Sequence, residues 1–137
     1  MDKEKYLNYI LEETTKILAI DSPSGFTKKA AEYVMQEYEK LGYQPKQTVK
    51  GGVVCEIGGK GDALLLEAHM DTLGAMACEI NPNGCVKLAP LGGMNPNNAE
   101  AENCMIYTRE GKTYSGTFQL KNASIHVNGE FDKTVRS

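Results

Sequence analysis

Along the first forty positions the apolar residues recur at steps of three and four. From Lys3 to Ala19 they are Tyr6, Leu7, Ile10, Leu11, Ile17 and Leu18, which predicts a helix with one buried stripe. The turn-rich cluster Asp21-Ser22-Pro23-Ser24-Gly25 stops it, because proline and glycine do not continue a helix. Thr27 is placed to cap a second helix. Its inner face reads Ala30, Ala31, Val34, Met35, Tyr38 and Leu41, and Gly42 can close it in a left-handed conformation. Beyond Gly42 the period shortens to that of strands. Gln47 to Val49, Val53 to Ile57 and Ala63 to Ala68 read as strands, separated by the turns Gly51-Gly52 and Gly58-Gly59-Lys60-Gly61.

After Gly74 no helical period is visible. Short strands are predicted at Ala75 to Ile80, Cys85 to Leu88, Asn103 to Tyr107 and Thr113 to Leu120, with a weaker one at Ser124 to Val127. Asn83-Gly84 and Glu110-Gly111 supply turns, and Leu91 to Pro96 a longer irregular connection. Strands at this spacing suggest a small barrel or sandwich. The change of character sets a domain boundary near Thr72, giving residues 1–71 and 72–137. The absence of a flexible linker fits one domain inserted into a loop of another.

At 137 residues, with 41% hydrophobic and 24% charged positions, the chain has the size and balance of one ordinary soluble domain. Fifteen basic residues stand against eighteen acidic ones, without a Lys/Arg cluster, so nucleic acid is not an expected partner. The longest apolar stretch is only a strand long and Met1-Asp2-Lys3-Glu4-Lys5 does not open a signal peptide. Neither a membrane nor export is expected, which leaves the cytoplasm. Cys55, Cys78, Cys85 and Cys104 contain no C-x-x-C pair and read as reduced thiols rather than a structural zinc site. A loop closing Ile80 on Cys85 would set Cys78 opposite Lys87, which argues against a cross-strand disulfide. Asn122-Ala123-Ser124 matches a glycosylation acceptor by chance, and Gly58 to Gly61 lacks the spacing and following helix of a phosphate loop.

The segment with candidate chemistry is His69-Met70-Asp71-Thr72-Leu73-Gly74, behind the apolar run Ala63 to Ala68. Side chains alternate along an extended chain, so His69 and Asp71 share a side. That arrangement lets a carboxylate fix the tautomer and basicity of an imidazole whose other nitrogen faces a cation. The ends of strands in an open α/β sheet are where ligands usually bind. Asp21, Glu67, Glu79 and Asp62 read as a turn former, a strand-end charge, a solvent-facing strand residue and a solvated carboxylate. His126 reads as a strand histidine satisfied by a hydrogen bond and stays out of the ligand set.

In order along the chain, Pro23-Ser24-Gly25, Gly51-Gly52-Val53-Val54, His69-Met70-Asp71 with Leu73-Gly74, Asn83-Gly84 and Leu91-Gly92-Gly93 are followed by Gly111, Gly116, His126 and Arg136. This order and spacing resembles the N-terminal part of the dinuclear-metal aminopeptidases that form tetrahedral particles. Glutamyl and deblocking aminopeptidases are among them, and relatives often carry endoglucanase or cellulase names. The resemblance implies an α/β fold: the first part of a metallopeptidase catalytic domain, followed by an inserted small β-barrel that mediates dimerisation. It implies hydrolysis of N-terminal residues from short peptides, two divalent metal ions, zinc or cobalt, and a homo-oligomer. By resemblance His69 corresponds to a metal ligand and Asp71 to the catalytic-site carboxylate that supports it.

The same resemblance places the family's bridging aspartate, its pair of glutamates, a further acidic ligand and a second histidine downstream of the β insertion, past Ser137. The chain is therefore expected to be a fragment, inactive alone and without tightly held metal. Thr72 departs from the glutamate that many members carry there, which bears on substrate preference. The alternative reading is a non-catalytic β-rich assembly module. Glucan hydrolysis would need two carboxylates flanking a sugar site, and no such pair is positioned by the sequence.

Overall fold

The computed structural model describes residues 2–120, 123–127, 129, 130 and 133. Arg136 and Asn122 lie outside the described residues. The chain divides into two compact units, Met1–Gly74 and Ala75–Ser137.

The first unit opens with α1 (Lys3–Leu18), whose first turn is capped by the Asp2 carboxylate accepting from the Lys5 N–H at 3.1 Å. Then comes α2 (Lys28–Lys40), which packs on α1 and on the short antiparallel pair β1 (Lys46–Gln47) and β2 (Val53–Val54). The Thr27 side chain makes no capping hydrogen bond, contrary to expectation: its ψ of 2° is not the extended conformation from which a cap hydroxyl reaches back. At the other end Gly42 does what its sequence position asks. With φ at +88° it lets its own N–H reach Glu39 O and the Tyr43 N–H reach Tyr38 O, a Schellman closure. A hydrogen bond from the Tyr33 hydroxyl to Glu13 Oε2, 2.5 Å long, ties the two helices together.

The core is small. Among the described residues only Ala30, Ala31 and Ser22 are buried. Val34, Met35 and Tyr38 are half-buried, while Leu41 and most of the α1 stripe (Tyr6, Leu7, Ile10, Leu11 and Leu18) lie exposed. The amphipathic pattern correctly marks helices, but no described element covers the outer part of the α1 face. A stripe predicts which side would be buried, not that something buries it.

The largest correction concerns Ala63 to Ala68. It forms no strand, and neither does Cys55 to Ile57; the glycine run between them is not a hairpin turn, because no ladder closes on either side. Leu64, Leu65 and Leu66 are 84%, 77% and 86% exposed. A near-continuous apolar run belongs to a strand flanked by neighbours on both sides and covered on both faces. No described segment lies alongside to supply the ladder.

The second unit is β-rich. A hairpin joins β3 (Gly74–Ile80) to β4 (Val86–Leu91), and an antiparallel pair joins β5 (Asn103–Tyr107) to β6 (Thr113–Thr117). The first hairpin closes with the Asn81 N–H donating to Cys85 O at 2.8 Å, so Asn81 rather than Ile80 faces Cys85. All four cysteines are free. Between the hairpins sits α3 (Pro96–Ala99), which the pattern does not predict: four residues are too few to show a helical period. Its signature is local, Asn95 accepting from the Asn97 N–H at 3.0 Å with Pro96 in the first turn. Residues 125–127 form a turn rather than the weak strand expected at Ser124 to Val127. The Val127 N–H bonds locally to Ser124 O instead of to a partner strand. The described strands form three separate two-stranded sheets, in a chain of mixed helix and strand.

Candidate functional site

His69, Met70 and Asp71 belong to no strand; a loop rather than a sheet holds them. Ser22 O accepts the Thr72 N–H at 2.9 Å, and Pro23 and Thr72 form a parallel bridge. The Ser22 side chain, in a residue 1% exposed, donates to Met70 O at 2.9 Å and lies 3.5 Å from the Thr72 hydroxyl. Gly74 completes the contact. A Cβ at that position would lie 2.6 Å from Pro23 Cβ, so the two chains approach more closely than any side chain on residue 74 permits. The turn that ends α1 is thus also the clamp for the candidate site.

Within the clamp, His69 Nδ1 lies 3.0 Å from Asp71 O and 3.1 Å from Asp71 Oδ1. Flanked by two acceptors, Nδ1 carries the ring proton and donates it, which leaves the Nε2 lone pair directed away from the carboxylate. The His69 side chain is 84% exposed, so that nitrogen is accessible. The other carboxylate oxygen, Asp71 Oδ2, accepts the Ser24 hydroxyl at 2.5 Å. The Ser24 hydrogen bond, with a smaller contribution from facing His69, holds the Asp71 carboxyl below its ordinary value despite the opposing effect of desolvation. Asp71 therefore stays an acceptor at neutral pH.

Sequence reasoning places His69 and Asp71 on one side, and their side chains do meet. It misses Ser22 and Ser24, read there only as helix-stopping turn residues. The available signal is the Pro-Ser-Gly turn itself, because serines beside a sharp turn have hydroxyls free of helix or ladder duties. His126 lies exposed in a turn, not on a strand. Glu67 and Glu79 are exposed, and so is Asp62.

A metal centre needs several donors converging within about 2.0 to 2.6 Å of one point. Among the described residues no group of three or more His, Cys, Asp or Glu side chains is placed to do this. His69 Nε2 fits one ligand position, with its other nitrogen held as metal-binding histidines require, but the described residues do not fit a complete centre. None of the described helices is long and apolar enough to cross a membrane.

A family model described as M42 glutamyl aminopeptidase matches residues 51–136. YhfE of Bacillus subtilis is 33% identical over 129 residues, covering 93% of this chain and 37% of the relative. The glutamyl aminopeptidase of Lactococcus lactis is 29% identical over 106 residues, 75% of this chain and 30% of that protein. Among solved structures, aminopeptidase APDkam598 from the archaeon Desulfurococcus kamchatkensis superposes with a TM-score of 0.73 at 25% identity, covering 85% of this chain and 33% of that one. The chain thus spans about a third of the length of the relatives it matches. With the family model covering most of the sequence, the chain belongs to the M42 glutamyl aminopeptidase family of peptidases.

Proposed function

We propose that this chain contributes one metal ligand, His69, and its supporting carboxylate, Asp71, to an aminopeptidase that removes N-terminal residues from short peptides. The observation that carries the reading is the His69 ring, tied at Nδ1 by Asp71 and open at Nε2, in a member of a peptidase family. Asp71 sets the tautomer and orientation of the ring, which is the part a supporting carboxylate plays beside a metal-binding histidine. Two divalent ions, zinc or cobalt, would lower the pKa of a bound water and polarise the peptide carbonyl. The chain alone lacks the converging donors for that chemistry among its described residues, so it is inactive by itself and holds metal weakly. Residues 1–71 then belong to the catalytic domain and residues 72–137 to the first part of an inserted β-barrel. The two hairpins of Ala75–Ser137 suit a subunit-contact role in a cytoplasmic homo-oligomer.

The test joins this chain to the portion of Bacillus subtilis YhfE that it does not match. Aminoacyl chromogenic substrates with zinc or cobalt then report turnover. This chain alone gives none that a chelator abolishes, whereas the joined protein turns substrate over. Asp71→Asn lowers that rate by about 10- to 100-fold, as loss of a supporting partner does at metal sites. His69→Ala removes it. A joined enzyme indifferent to His69→Ala would overturn the assignment.

A further inference from the structure

The Asp71 carboxylate is bonded on both oxygens, and its two partners differ in kind. Oδ1 faces the His69 ring at 3.1 Å and Oδ2 takes the Ser24 hydroxyl at 2.5 Å. The carboxylate is partly exposed, at 41% of its side-chain surface, so packing alone does not fix its rotation. An exposed carboxylate turns about its terminal torsion with little preference, because that torsion is broad. The Ser24 hydrogen bond constrains the far oxygen, and it selects the rotamer that presents Oδ1 to the ring. Backbone anchoring does not depend on this bond. Ser22, not Ser24, bonds Met70 O and accepts from the Thr72 N–H, so the two serines of one turn divide the work: Ser22 holds the main chain and Ser24 the side chain.

Resting on the reading of His69 and Asp71 as the functional pair, we propose that Ser24 is a positioning residue. Its hydroxyl locks the Asp71 carboxylate in the orientation that keeps the proton of His69 on Nδ1 and Nε2 open to a ligand. Ser24 bonds the far oxygen of Asp71 and acts on the ring through that carboxylate. A hydroxyl suits this task because it donates to a carboxylate without adding charge beside it.

The chain contains two histidines, so His126, exposed in the second unit, serves as an internal reference for ring chemistry. The experiment is long-range proton–nitrogen NMR of the imidazole rings in the full chain, without metal, at one fixed pH where both rings are neutral. In the wild type His69 is mainly the Nδ1–H tautomer, whereas an unconstrained ring favours Nε2–H. Ser24→Ala lowers the ratio of Nδ1–H to Nε2–H at His69 by about fivefold, the share expected for loosening one hydrogen bond to a charged group. His126 does not change. Ser24→Thr, which keeps the hydroxyl, restores the wild-type ratio. Asp71→Ala shifts the ratio at least as far as Ser24→Ala. If the alanine variant loses its dispersed spectrum, Ser24→Cys keeps the side-chain volume with a weaker donor and is held to the same criterion.

If Ser24→Ala leaves the His69 ratio unchanged while Asp71→Ala moves it, the role of Ser24 is overturned and the His69–Asp71 pair stands. If neither variant moves it, the Asp71 main-chain carbonyl, 3.0 Å from Nδ1, holds the proton by itself, and the roles of both the carboxylate and Ser24 are overturned. A shift at His69 and His126 together would mean general loosening and would also overturn the proposal.

Discussion

Residues 63–68 read Ala-Leu-Leu-Leu-Glu-Ala, and β6 reads Thr-Tyr-Ser-Gly-Thr. Only the second is a strand. By hydrophobicity the order should be reversed. The difference lies in partners. Five residues separate Tyr107, the end of β5, from the start of β6, and the two strands pair from Asn103↔Thr117 to Tyr107↔Thr113, closed by a turn in which the Thr108 N–H reaches Lys112 O. Ala63 to Ala68 has no such neighbour among the described residues. Backbone pairing, not side-chain apolarity, makes a strand, and local pairing needs only a short loop to close. Just past the leucines, residues 70–74 show a third condition. Up to Gly74, which opens β3, they gain order without a sheet, from hydroxyl and amide contacts to the turn at residues 21–25.

The largest expected effect comes from the unpaired leucines. A segment with three exposed leucines and no strand partner among the described residues drives self-association of the chain. Leu64 and Leu66 are the two most exposed of the three leucines, so the double variant Leu64→Lys, Leu66→Lys removes most of that apolar surface and adds charge. Sedimentation velocity across a concentration series should show the midpoint of association moving up by about a hundredfold, from roughly 1.5 kcal/mol per buried leucine lost. Association unchanged by the two lysines would place the sticky surface elsewhere, with the exposed α1 face next in line.

Two glycines then separate the clamp from the hairpin. Gly74→Ala forces a methyl to within 2.6 Å of Pro23 Cβ, so it should destabilise the chain by about 2 kcal/mol, as overpacking against a fixed ring does. In β6, Gly116→Ala meets Cys104 Sγ and Ile106 Cδ1 at an ordinary 3.5 Å. It should be neutral or stabilise by about 0.5 kcal/mol, by restricting the unfolded chain. Urea unfolding of both variants decides the matter. Equal effects would mean that residues 70–74 are not clamped as described.

The smallest effect is electrostatic. Hydrogen bonds from Lys16 first and Tyr33 second hold the Glu13 carboxyl below its ordinary value, while its bond to Glu13 pushes the Tyr33 hydroxyl up to about 12. A carboxyl with a lowered folded pKa stabilises the fold above its unfolded value, and that contribution fades as pH falls through the folded value. Tyr33→Phe should therefore be less stable than wild type at neutral pH. The gap should narrow on acidification below the ordinary carboxyl range, in paired melts across pH. A gap independent of pH would trace the loss to packing between α1 and α2 instead.

By itself the sequence determined what local chemistry controls. It set the two amphipathic helices, the left-handed close at Gly42, the turns at Gly51-Gly52 and Glu110-Gly111, and the shared side of His69 and Asp71. Each depends on residues within a few positions of one another, so period and turn chemistry suffice to read it. The motif order likewise made the peptidase family legible, and the comparisons agree. Tertiary structure alone decided the rest. Ala63 to Ala68 carries the pattern of a buried strand and finds no partner among the described residues, because a ladder is a relation between segments. The α1 stripe marks a face that only another element could cover. Ser24 reads as a turn residue until folding brings it across 47 positions to Asp71, since a hydrogen bond between distant residues leaves no periodic trace in the chain.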